Sequence, residues 1–119
     1  MKTLAILAAA AVMLLPAAAQ AADGYVTCQA YQANKNRVLY TVAFAADKAN
    51  TDALWTQFVD YLAGNGYTKG MYDSAPQPVE GLCNWEASES AANAKTEGFK
   101  AGYEAKGAGA MGVSGFPAE

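Results

Sequence analysis

The chain predicts a small α+β domain: an antiparallel sheet in the order β-β-α-β-α, with the helices packed on one face and one disulfide. Three observations carry this reading. Two neighbouring segments alternate in hydropathy as strands do, and a third short strand-like stretch, Gly81–Ala87, holds one of the two cysteines beside a tryptophan. Between them, Leu54, Trp55, Phe58, Val59 and Leu62 recur at helical spacing. Runs of strand and helix in this order suit a sheet covered by helices.

The N-terminus reads as an export signal. Met1 and Lys2 precede an apolar run from Leu4 to Leu15, Pro16 breaks it, and Ala19-Gln20-Ala21 offers small residues at the positions a signal peptidase reads. Cleavage is therefore expected after Ala21. The run is shorter than the roughly 20 residues a spanning helix needs, so no stable membrane insertion is expected after processing. The expected location is the periplasm or the medium of a bacterium.

Residues 22–106 then form one domain, with 107–119 as a tail. The whole chain carries a net charge of −3, and losing Lys2 makes it −4. An acidic chain without a basic run argues against nucleic acid as a partner. Two cysteines in an exported chain read as a disulfide, Cys28–Cys83. Their wide spacing is unlike a redox-active C-x-x-C pair.

The first strand is expected over Tyr25–Gln32. Val26, Cys28 and Ala30 share one face, and Tyr25, Thr27, Gln29 and Tyr31 the other. Asn34-Lys35-Asn36 supplies turn chemistry, because Asn tolerates left-handed backbone. The second strand is expected to run unbroken from Arg37 to Ala45, with Val38, Tyr40, Val42 and Phe44 on one face. The first helix should start at Asn50 or Thr51, either able to cap it, and stop at Gly64-Asn65-Gly66.

Tyr67–Pro78 has no period and contains Pro76 and Pro78, so it reads as a surface loop. Ser88 or Ser90 caps a second helix running to about Lys106, with Ala91, Ala92, Ala94, Phe99 and Tyr103 as its apolar residues and Gly98 and Gly102 as weak points. Gly107–Glu119 is glycine-rich with few charges, which reads as a flexible tail. A sharper reading makes Met111, Val113 and Phe116 a peptide that joins a partner's sheet or groove.

For function, the absences narrow the field. The chain has no histidine, which removes Ser-His-Asp and Cys-His sites and the commonest metal ligand. With both cysteines bridged, no metal site of the Cys/His type remains and no cofactor is expected. Asp47, Asp52, Asp60, Asp73, Glu80 and Glu86 are left as carboxylates for a small hydrolase, but their spacing selects no pair. Seven tyrosines instead favour recognition. The expected surface is Tyr25, Thr27, Gln29 and Tyr31 on the sheet, joined by Tyr67, Met71 and Tyr72 from the loop, and it would meet a protein or glycan partner. The reading is thus a non-enzymatic exported binding domain. Its alternatives are an inhibitor whose loop, Gly70–Pro78, enters an enzyme's cleft, and a structural component of an envelope or surface assembly that docks through the tail.

Overall fold

The computed structural model describes residues 22–69 and 76–117. The leader and residues 70–75 of the loop, among them Met71, Tyr72 and Asp73, lie outside those residues, as does the tail's end. The fold is α+β, with two helices, a small sheet and the Cys28–Cys83 disulfide.

The central strand β1, Gly24–Gln32, is paired on both sides. A 3-10 turn over Ala33–Lys35 follows, closed by Asn36 at φ 49°, the left-handed conformation that asparagine accepts. Strand β2, Arg37–Tyr40, returns along the second half of β1, with Leu39 opposite Ala30. The chain then leaves the ladder and rejoins the same side of β1 as β3, Phe44–Ala46, with Phe44 opposite Val26.

The second strand is therefore two strands, and the break has a register consequence. Thr41, Val42 and Ala43 span a stretch in which β1 uses only Thr27 and Cys28, one extra residue that makes this a β-bulge. One added residue reverses the alternation of faces. The four residues expected on one face are split: Phe44 joins Val26, Cys28 and Ala30, while Val38 and Tyr40 turn to the opposite face. Leu39 enters the core in their place.

Thr41 repairs the ladder at the bulge. Its N–H donates to the Cys28 carbonyl at 3.0 Å, and its Oγ1 accepts from the Cys28 N–H at 3.1 Å. Thr41 is buried, so Thr41→Val would keep the shape and strand a buried donor. The expected cost is about 1–2 kcal/mol, read as a lower denaturation midpoint at unchanged slope; an unchanged midpoint would mean that water reaches Cys28.

Helix α1, Thr51–Gly64, buries Leu54, Phe58 and Leu62, the stripe that its spacing predicts. Neither expected cap bonds to a free amide of the first turn. A 3-10 turn over Lys48–Asn50 leads in, and the Thr51 hydroxyl donates back to the Lys48 carbonyl. The C-terminus closes as a Schellman motif: Gly66 N–H donates to Ala63 O at 3.3 Å, and Tyr67 N–H to Leu62 O at 2.9 Å. Gly66 sits at φ +80°, which a side chain would disfavour.

Strand β4, Glu80–Glu86, runs antiparallel along β1, Tyr31 opposite Glu80 through Tyr25 opposite Glu86. Cys28 spends its backbone groups on Thr41, so towards β4 it forms a non-hydrogen-bonded pair with Cys83. Side chains in such pairs lie closest, and the Cα–Cα distance is 4.0 Å. Gly81 lets β4 reach this spacing, because a Cβ there would overlap the Gln29 carbonyl.

Helix α2, Glu89–Glu104, is capped by Ser88, whose Oγ accepts from Ala91 N–H at 3.2 Å. Strand β5, Gly109–Gly112, comes next and pairs in parallel with β2, with Arg37 opposite Gly109 and Leu39 opposite Met111. The sheet is therefore mixed. Strands β4 and β5 run in the same direction on opposite sides of β1 and β2, and α2 crosses between them.

That crossover decides the layering, because the two helices do not share a face. Leu54, Phe58 and Leu62 of α1 pack on Val26, Cys28, Ala30, Leu39 and Cys83. Thr27 and Gln29 point the other way and hydrogen-bond to α2, the Thr27 hydroxyl to the Ala92 carbonyl at 3.2 Å. The sheet is sandwiched, and no face of β1 is left wet.

The segment after α2 is not a free tail. Gly107, at φ +94°, turns the chain into β5. Val113 is then buried in the α1-side core, and Phe116 packs on Phe58, Tyr61 and Phe44 with ring centroids at 5.1, 5.6 and 6.0 Å. The Tyr61 hydroxyl donates to the Ser114 carbonyl at 2.7 Å, tying the segment across to α1.

On α2 itself, a Cβ at Gly98 or Gly102 would meet nothing within 4 Å, so these glycines serve no close helix packing. Replacing both with alanine is expected to stabilise the domain by about 1–2 kcal/mol through helix propensity alone. A fall in the melting temperature would show that the glycines relieve a constraint.

Candidate interaction surface

The expected tyrosine face is occupied from within. Thr27 and Gln29 are fully buried beneath α2. Gln29 Nε2 donates to Thr27 Oγ1 at 2.7 Å and to Thr96 Oγ1 at 2.8 Å, and its Oε1 accepts from Asn84 Nδ2 at 2.9 Å. This satisfied polar layer fastens α2 to the sheet. Alternation of polar with apolar residues marks two faces, but it does not distinguish bulk water from an internal network.

Tyr31 is half-buried and stacked on Tyr103 of α2, with centroids 4.2 Å apart, while its hydroxyl donates to Asn36 Oδ1. Tyr25 is also half-buried, at the other end of β1 opposite Glu86. Tyr67 lies on the α1 side, its carbonyl accepting from Gln32 Nε2 at 2.6 Å. The structure thus separates Tyr67 from the sheet tyrosines, and Met71 and Tyr72 fall outside the described residues. Burial, with the Glu80 carboxylate beside it, raises the pKa of the Tyr103 hydroxyl above the usual tyrosine value.

The carboxylates are dispersed. Asp47 Oδ1 accepts from the Asp23 N–H at 2.9 Å, Glu80 accepts from the Tyr103 hydroxyl at 3.4 Å, and Glu86 lies 3.9 Å from Lys95. Asp52 and Asp60 stand exposed on α1. Among the described residues, no group of cysteines and carboxylates is gathered as a metal ion would need.

Among the described residues, the far side of β5 has no strand paired to it. All four of its residues are exposed, and Met111 is 40% exposed. Gly109 N–H donates to Asn36 O at 2.9 Å and Val113 N–H to Tyr40 O at 2.7 Å. By alternation, Ala110 and Gly112 turn their N–H and C=O groups away from β2. No charged residue and no proline lies between Gly107 and Phe116. Natural edge strands are usually guarded by one or the other. The outer edge of β4 has such guards in Glu80 and Glu86 at its ends.

A cleft of about 360 Å³ opens where β2 and β5 end, lined by Tyr40, Val42, Gly112, Val113 and Ser114. The bulge creates it by carrying Val42 out of the sheet, 74% exposed. On the α2 side, Lys100 Nζ lies 4.2 Å from the Tyr40 ring centroid and fixes that wall. The sequence offered Met111, Val113 and Phe116 as a peptide for a partner's sheet, but gave no sign of the strand on β2 or of the cleft. Val113 and Phe116 are taken up by the chain's own core. The exposed Val42 results from a parity change with no residue signature, and Gly-Ala-Met-Gly carries no strand propensity.

No family model, curated protein or solved structure matches the chain.

Proposed function

We propose that this chain is an exported, non-enzymatic interaction domain, held in the periplasm or secreted by a bacterium, that engages a protein partner through β5 and the adjoining cleft. The observation that carries the reading is the unguarded, uncharged β5 edge beside the exposed Val42. An edge of this kind offers backbone hydrogen bonds to an extended segment, and a cleft at its end offers a place for an apolar side chain. The ordered C-terminal segment favours a component of an assembly over a recognition domain built on tyrosines, since Thr27 and Gln29 lie buried under α2 and Tyr31 is stacked on its Tyr103. The disulfide fits an oxidising compartment outside the cytoplasm. Among the described residues no helix is long and apolar enough to cross a membrane.

Site-specific photo-crosslinking in the producing cells tests this. A photoreactive residue at Ala110 should give discrete protein adducts, whereas one at Thr56, exposed on α1, should not. Adducts equally frequent at both positions, or none at Ala110, would sink the proposal.

A further inference from the structure

Resting on that reading of β5, we infer that its occupant is a second copy of the same chain, paired edge to edge about a two-fold axis at Met111. Ala110 and Gly112 point their N–H and C=O outward, two positions apart, with Met111 between them turned to β2. In an antiparallel ladder, hydrogen-bonded and non-hydrogen-bonded pairs alternate. A two-fold axis at Met111 sets Ala110 opposite the other copy's Gly112, and Gly112 opposite its Ala110. Every outward group of the strand then finds a partner, and the pairing is isologous, as a closed dimer requires.

Side chains and charge agree with this register. Gly109, Ala110 and Gly112 present little bulk to an approaching strand. Met111 would face Met111 across the axis as a close non-hydrogen-bonded pair, covering a side chain now 40% exposed. Two chains of the same net negative charge repel in general, yet the stretch from Gly107 to Phe116 carries no charge to bring together. The other edge behaves oppositely. A two-fold pairing of β4 about Cys83 would set Glu80 against the other copy's Glu86, like charges directly opposed. The fold thus closes one edge to self-pairing and leaves the other complementary to itself. The two sheets would join into one continuous sheet through both copies, and the small contact makes the association weak.

Sedimentation equilibrium on the cell-processed protein, from about 10 µM to about 1 mM to bracket a weak interface, reads this directly. The wild type should show a monomer–dimer equilibrium. Ala110→Pro removes an outward N–H that the fold itself does not use, so it should weaken dimerisation about tenfold or more while leaving the melting temperature close to wild type. Met111→Lys and Met111→Glu should each weaken it about fivefold, by opposing like charges across the axis. Mixing these two variants should restore association, a rescue that only a contact of Met111 with itself explains. If Ala110→Pro does not fold, the Met111 pair decides alone. A wild type monomeric throughout, or a mixture no tighter than either variant, overturns self-pairing. Crosslinks from Ala110 to a different protein, with a monomeric wild type, would overturn the dimer and leave the proposed function standing. The absence of both would remove the two together.

Discussion

A chain cut after Lys106 is expected to lose cooperative unfolding, although the residues removed look dispensable by composition. The cut takes away β5, so β2 loses its outer ladder and becomes an open edge. It also removes Val113 from the core, and Phe116 from its place against Phe58, Tyr61 and Phe44. Burying those two side chains contributes about 3–5 kcal/mol. Small domains have total stabilities of roughly 5–15 kcal/mol, so this loss alone approaches the lower end of that range, before the lost β2–β5 ladder is added. Near-ultraviolet circular dichroism and a thermal melt of the truncated chain check it. Phe116→Ala, which spares the ladder, should still cost about 2–4 kcal/mol. A truncated chain that melts within a few degrees of the full one would mean that the segment does not hold the core together. Shortening the C-terminus therefore cannot separate binding from folding here; point changes on the outer edge can.

The second large effect is expected at the disulfide. Cys28→Ala with Cys83→Ala should lower stability by about 4 kcal/mol, near the upper end for a cross-link of this span. The bridge joins residues 55 apart in sequence that sit directly opposite one another on paired strands. The native sheet already holds β1 against β4, so the bridge adds little order to the folded state. Its effect falls on the unfolded chain, whose freedom it restricts. Both sulfurs are also buried among Leu54, Phe58 and Leu62. Guanidinium unfolding of the oxidised wild type, the reduced wild type and the double variant separates these contributions. Oxidised against reduced reports the cross-link, and reduced against double variant reports the lost packing. Identical midpoints for all three would overturn the account.

The legible parts of the fold were those where local chemistry has one reading. Leu54, Trp55, Phe58 and Leu62 can share a face only on a helix, because a strand would turn Trp55 away from Leu54, and they need a core to enter. Gly66 after Asn65 stops that helix by an open left-handed turn, and Asn36 does the same for the first hairpin. Ser88 caps α2 with its own hydroxyl. The illegible parts were those where one local pattern has two physical outcomes. Thr27 and Gln29 alternate with apolar residues whether water or Thr96 and Ala92 satisfy them. Val38, Tyr40, Val42 and Phe44 alternate cleanly, but a single extra residue at Thr41–Ala43 reverses the parity. The candidate surface was hidden for the same reason, since its exposed Val42 is a product of that reversal.

Spacing and end-capping act over a few residues, so the two helices, β1, β4, the single possible disulfide and the apolar stripe of α1 could be read locally. The face each helix covers, the break in the second strand and the fate of Gly109–Gly112 depend on contacts between residues far apart in the chain. A strand of glycine and alanine has almost no preference of its own. It becomes a strand because β2 offers an unpaired ladder and α2 delivers the chain to it. Val113 and Phe116 then anchor its far end in a core built from residues distant along the chain.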